Sequence, residues 1–244
     1  MTRRARTWLG AAGVLGVAVL LVTAFLRMPE FGGALHGYRD LALPAAIARA
    51  TPNLVSSVNF DLRALDTLGE ETIVAAAVVG ALSLLQPSPA ERKRLRPQHG
   101  HVLPVVKLAG YVVLPVTLLL GIDVVAHGHL TPGGGFQGGV VLATGWHLLY
   151  VSGSYPALVR LRPIDWCEYA EAAATGLYVV TGLTGLLAGG AFLANVLPTG
   201  RFGSLLSAGT VPVLSVLIGI EVTAGFVVLL SRFLDQALIP AEGT

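Results

Sequence analysis

Long uncharged runs limit this chain more than any other feature of its sequence. A helix crosses the hydrocarbon layer of a bilayer with about 20 mostly apolar residues. Trp8–Leu26 carries no charge and follows Arg3, Arg4 and Arg6. Leu62–Gln86 is apolar after a charged beginning, Val102–Val125 holds only Lys107 and Asp123, and Phe136–Gly153 has no formal charge. Trp166–Leu197 is long enough for a tilted or broken span, and Leu205–Phe233 encloses Glu221. Backbone polar groups in lipid must be satisfied internally, which makes helices of runs this long. Charged residues are 12% of the chain and hydrophobic ones 54%. Ordinary soluble domains carry about 25% charge, so a soluble enzyme is excluded. The expected fold is an all-α integral membrane protein with six transmembrane helices.

Trp8–Leu26 is long for the apolar part of a signal peptide, and Arg27-Met28-Pro29-Glu30 is a poor small-residue cleavage site. It is therefore read as a retained first helix. Arg and Lys crowd the N-terminus, the stretch Arg92-Lys93-Arg94-Leu95-Arg96 and the loop with Arg160 and Arg162. Arg27, Arg39, Arg49, Arg63 and Arg201 are spread thinly through longer segments. By the positive-inside rule, both termini lie in the cytoplasm. The expected organisation is a two-helix unit over residues 1–86, a basic cytoplasmic linker over 87–101 and a four-helix unit over 102–244. Ala42–Ala50 is expected as a short surface helix with Pro44 in its first turn.

Three sets of residues are candidates for chemistry. Arg63, Asp66, Glu70 and Val74 share one helical face at spacings of three and four. An acid inside a membrane helix costs about 2.5–3.5 kcal/mol on insertion scales and faces protein or water. That favours a proton or cation relay; the competing structural reading takes Thr67-x-x-Glu70 as a capping box. The second set is Asp123 and His127, four residues apart, ahead of Thr131-Pro132-Gly133-Gly134-Gly135-Phe136-Gln137-Gly138-Gly139. The glycines lack the Gly-Lys-Ser/Thr ending of a phosphate loop. They are read as a structural loop with positive φ, and Asp123 with His127 as hydrogen-bonded scaffolding ahead of proton exchange. The third set is scattered: Lys107 snorkels to the cytoplasmic surface, His147 packs, Asp165-x-x-Glu168 reads as a second capping box, and Glu171 sits in an apolar span. Glu221 stands out, with apolar residues on both sides at mid-membrane depth. Cys167 is the single cysteine, so no disulfide or multi-cysteine metal cluster is expected. No metal ligand set, catalytic triad, cofactor fingerprint or nucleic-acid-binding pattern is present in the sequence. The net charge of +2 adds no argument for a nucleic-acid partner.

The stretch Ala126-His127-Gly128-His129-Leu130-Thr131-Pro132 followed by Gly133–Gly139 resembles the signature of the MnhB/MrpB family, small subunits of multi-subunit Mrp-type Na⁺/H⁺ antiporters. The resemblance runs over about Val102–Arg232. Asp61-Leu62-Arg63-Ala64-Leu65-Asp66-Thr67-Leu68-Gly69-Glu70 is similar to the C-terminal end of the large antiporter subunit MrpA. That element is a separate small subunit, MbhE, in membrane-bound hydrogenases. The resemblance implies an MbhE-like unit fused to an MrpB-like unit. Glu70 falls on the family's acidic helix position, and Glu71 stands where an apolar or small residue is expected.

The resemblance further implies a transporter subunit in the cell membrane, partnered by other subunits of a Mrp-type antiporter or a related complex. Its role is to help build a polar ion path for Na⁺ or H⁺, with no resident cofactor. The alternatives are a membrane-arm subunit of a redox-driven pump, such as a group 4 membrane-bound hydrogenase, and a purely structural packing subunit. Burial disfavours the charged form of a carboxyl and a nearby cation favours it, so proton and cation compete for one site. On that logic Arg63 holds Asp66 ionised, Glu70 exchanges, and Glu221 extends the path.

Overall fold

The computed structural model of the chain describes residues 3–28, 36–85, 102–152 and 164–236, and every regular element in them is helical. They are α1 (Arg3–Leu26), α2 (Gly37–Ala48), α3 (Leu54–Ser57), a π-helical turn (Val58–Leu62), α4 (Ala64–Leu84), α5 (Pro104–Ala126), α6 (Gly135–Val151), α7 (Ile164–Gly189) and α8 (Val211–Gln236). The linker at 87–101 and the basic residues Arg160 and Arg162 lie outside the described residues. Five helices are long and apolar enough to cross a membrane, by length and composition: those ending at Leu26, Leu84, Ala126, Gly189 and Phe233. α6, expected as another span, has 17 residues.

The chain divides into two compact units, residues 1–40 and 41–244. In the first, α1 is uncharged from Thr7 onward, and the Thr23 hydroxyl donates to the carbonyls of Val19 and Leu20. The second unit is organised around α8, which packs against α4, α5, α6 and α7. Of the most apolar stretch of α8, 61% is buried, against 11% for α5. Apolar side chains on α8, Val211, Leu214, Ile218 and Val222, form the core with Phe60, Ala64 and Tyr178.

Several boundaries differ from the sequence reading for physical reasons. α2 begins at Gly37, so Pro44 lies inside it and not in its first turn. α4 begins at Ala64, and Thr67 is already inside the helix. The Thr67 hydroxyl donates to the Asn59 carbonyl at 2.7 Å, which displaces the capping-box geometry. Asp165 lies within α7 (Ile164–Gly189), beside residues outside those described. α7 stops at Gly189, where Gly190 turns the chain at φ +75°. Residues 190–210 then run as turns, so neither 190–197 nor 205–210 is helical.

The connection between α5 and α6 is held tightly. Asn53 caps α3 by accepting from the Val55 and Ser56 amides, and its Nδ2 donates to the Gly128 and Thr131 carbonyls at 2.7 and 2.8 Å. Gly133 and Gly134 adopt φ of +146° and +143°, and Gly134 has ψ −173°, a conformation essentially reserved for glycine. Gly135 then starts α6 hard against α8. A Cβ there runs into the Ser215 carbonyl and lies 2.8 Å from Ile218 Cβ. Gly138 and Gly139 repeat this closeness against the Gly121 and Gly219 carbonyls, and Phe136 stacks edge-on against Phe226 at 6.3 Å. Gln137 is exposed at the same helix start.

Candidate functional site: a file of buried carboxyls

α4, α7 and α8 enclose an inward-facing polar file. Glu71 on α4 is 1% exposed, Glu221 on α8 is 1% and Glu171 on α7 is 7%. Glu221 lies within electrostatic reach of both other carboxyls. Both oxygens of Glu221, and Oε2 of Glu71, lack a hydrogen-bond partner among the described residues. Thr175 lies beside the Glu221 carboxyl, but its hydroxyl donates to the Glu171 carbonyl at 3.0 Å. Tyr178 is fully buried next to Glu71 and Glu221, and its hydroxyl donates to the Ala64 carbonyl at 2.9 Å.

Helical spacing makes this arrangement. On α7, Glu168, Glu171, Thr175 and Tyr178 recur every three or four residues, so they form one stripe. On α4 the buried positions Ala64, Thr67, Glu71, Val78 and Ala81 form the matching stripe. Gly225, one turn after Glu221, gives Glu171 its room. A Cβ on Gly225 lies 3.5 Å from the Glu171 carboxyl and 3.3 Å from Val78. At the far end, Arg232 reaches Glu168 at 3.6 Å. No ion pair of Glu71, Glu171 or Glu221 with a basic residue occurs among the described residues.

The candidates taken from the sequence separate into two groups. Glu221 is buried as its apolar flanks imply. Asp66 and Glu70 lie on the exposed face of α4, where Asp66 pairs with Arg63. Asp123 and His127 pair through Nδ1 and Oδ1 at 2.9 Å, on an exposed part of α5. Lys107 is exposed in the first turn of α5, and His147 Nδ1 lies 2.7 Å from the Ala143 carbonyl. Glu168, read from sequence as a cap, bonds to Arg232. Sequence reasoning missed Glu71 and Glu171 as inward carboxyls. The signal was available in the run Ala64, Leu68, Glu71, Ala75, Val78, which keeps the buried phase of α4 where Asp66 and Glu70 do not.

A family model described as a domain related to the MnhB subunit of Na⁺/H⁺ antiporters matches residues 105–228. The chain belongs to this MnhB-related family. An uncharacterised protein of Methanocaldococcus jannaschii is 31% identical over 195 residues, covering 71% of this chain and 74% of its own length. A probable K⁺/H⁺ antiporter A/B subunit of Rhizobium meliloti is 27% identical over 190 residues, 68% of this chain and 18% of that protein. In a solved membrane-bound sulfane sulfur reductase, an archaeal respiratory membrane complex, one chain matches with TM-score 0.72 and 30% identity. That match covers 94% of this MnhB-type chain and 98% of its counterpart. The Mrp complex from Dietzia sp. DQ12-45-1b shares the fold, with TM-score 0.70 at 23% identity over 100% of this chain and 27% of that one. The MnhB-type chain is a multi-pass membrane protein.

Proposed function

We propose that the chain is a membrane subunit of a multi-subunit cation/proton antiporter of the Mrp type, and that Glu71, Glu221 and Glu171 are its section of the ion path. The observation that carries this is Glu221, a carboxyl buried within a membrane helix, with both oxygens unpartnered and two further carboxyls beside it. Burying a charge without a partner costs several kcal/mol, and a purely packing role is served better by an apolar side chain of similar size. A carboxyl kept at that cost is suited to binding and releasing a proton. The MnhB family match and the K⁺/H⁺ antiporter relative support this reading.

In this account, Asp66 with Arg63, Glu70, and Asp123 with His127 lie on faces that a neighbouring subunit covers, and extend the path across that interface. Lys107 sits at the membrane surface. Six spans with both termini in the cytoplasm complete the proposal, counting α6, whose 17 residues are at the short end of what crosses a bilayer. The membrane is the cell membrane, and the cargo is H⁺ with Na⁺ or another monovalent cation.

A second reading has its own support. The sulfane sulfur reductase chain is matched over nearly its whole length at 30% identity, which favours a membrane-arm subunit of a respiratory redox complex. Purification under native expression, with the associated chains identified, separates the two. Antiporter-like subunits without redox-centre subunits support the first reading, and metal-cluster subunits overturn it in favour of the second.

A further inference from the structure

The loop end of the second unit carries a cluster that the carboxyl file does not use. Ser56, Ser57, His129, Ser207 and Thr210 are each 3% exposed or less. Their hydroxyl oxygens have no hydrogen-bond partner among the described residues, and the imidazole nitrogens have only the nearby Ser204 and Leu205 backbone, with no well-formed bond to it. An unsatisfied buried polar group costs about 1–3 kcal/mol, and native interiors leave few of them.

The segments that carry these side chains are joined in a circuit of backbone and Asn195 side-chain contacts. The Asn53 amide donates to the His129 carbonyl at 3.1 Å. The His129 ring lies against the backbone of Ser204 and Leu205, and the Ser207 amide donates to the Ser204 carbonyl at 3.0 Å. The Thr210 amide donates to Asn195 Oδ1 at 2.9 Å, and Asn195 Nδ2 donates to Asp61 Oδ2 at 3.3 Å. Asp61 is one turn from Ser57, whose amide returns to the Asn53 carbonyl at 3.0 Å. The charged groups bordering the circuit are Asp61, Arg49 at 4.0 Å from it, and the Asp123–His127 pair.

The unsatisfied groups share one chemistry. Each hydroxyl both donates and accepts, and a neutral imidazole has one nitrogen of each kind. Burial pushes the His129 imidazole below its usual range and so favours the neutral ring, although the Ser204 and Leu205 backbone opposes this. A buried water takes two to four such partners.

We propose that this circuit encloses a cluster of ordered waters and is the entrance through which protons reach Glu71 and Glu221. Its role as an entrance rests on the reading of the carboxyl file given above; its hydration does not. Ser57, Asp61, Ala64, Thr67 and Glu71 are the inward positions between the two, across the π-helical turn and the first turns of α4. Phe60, Leu214, Leu217 and Ile218 belong to the apolar core at the cap end of this stripe. The polar rungs on the way are the Thr67 hydroxyl and the Tyr178 hydroxyl.

Radiolytic footprinting of the purified, assembled complex reads bound water directly, because hydroxyl radicals form where water sits. His129 should be oxidised several-fold faster than Phe60, a 5% exposed aromatic in the apolar core. Thr210→Val and Ser57→Ala, which keep side-chain size, should each lower that rate and slow transport. A His129 as unreactive as Phe60 overturns the hydrated cluster. A hydrated His129 in variants that transport at the wild-type rate overturns the entrance role. Glu221→Gln separates the two claims. It should leave His129 oxidation unchanged, and normal transport in that variant removes the carboxyl reading while the hydrated cap remains.

Discussion

Gly135→Ala tests the packing that fixes α6 against α8. An added Cβ meets the Ser215 carbonyl head-on, with Ile218 Cβ at 2.8 Å and the Gly219 amide nitrogen at 2.9 Å. Ordinary contacts of a Cβ begin near 3.4 Å, so the two helices must part by several tenths of an ångström or more. Two of the three obstacles are backbone, which no rotamer change relieves. Overpacking of this kind costs about 1–3 kcal/mol, and the backbone obstacles place it at the upper end. About 3 kcal/mol lowers the folding equilibrium constant ~150-fold, at 1.36 kcal/mol per decade. For a chain of this size it lowers Tm by roughly 6–12 °C. The assay is thermal unfolding of the detergent-solubilised protein, beside Gly176→Ala, where a Cβ meets nothing within 4 Å. Gly176→Ala should be neutral or stabilising by up to about 1 kcal/mol, since alanine is the better helix former. Equal melting of Gly135→Ala and wild type would refute the close approach of α6 to α8.

Three further outcomes follow from the same geometry. Gly134→Val should destabilise the protein by about 1–3 kcal/mol because a β-branched residue is strained at φ +143°, and chemical denaturation of the solubilised chain measures it. Asn53→Ala removes the α3 cap and two bonds to the Gly128 and Thr131 carbonyls. It should cost about 2 kcal/mol and raise hydrogen exchange at Leu130 and Thr131. His129 has a lowered folded pKa, so the unfolded chain takes up its proton first; stability is full above the unfolded pKa near 6.5 and falls as pH drops below it. The opening equilibrium at Gly128–Thr131, taken as the exchange rate relative to the intrinsic rate at each pH, should rise between pH 7.5 and 5.5 and lose that component in His129→Asn, with the neighbouring His127–Asp123 pair left intact.

The membrane class, the helix order and the glycine-rich connection were legible in the sequence. Uncharged length dictates spans. Of the run Gly133–Gly139 read as a loop, only Gly133 and Gly134 have positive φ; Gly135–Gly139 are the first turns of α6, where close packing calls for glycine. Glu221 was legible because two long uncharged runs, Pro212–Ile220 and Val222–Leu230, flank it. Glu71 and Glu70 were harder to separate. They are adjacent on one helix, and which of them turns inward depends on the phase of α4 against α7 and α8. The π-helical turn at Val58–Leu62 sits just before that helix, and such a turn adds a residue that a 3.6-residue period does not count. Asn195, which joins Asp61 to Thr210, was hidden in a segment read as helical. Its role comes from the reversal after Gly190, which spacing alone does not reveal.

The most direct test is cation/proton exchange in everted membrane vesicles holding the complex with Glu221→Gln, with assembly confirmed by co-purification. Glutamine keeps the size of the side chain and removes the exchangeable proton. The account predicts an assembled complex whose exchange rate falls about tenfold or more, equivalent to ~1.4 kcal/mol on the barrier, at every pH tested. An assembled Glu221→Gln complex exchanging at the wild-type rate across the pH range contradicts it.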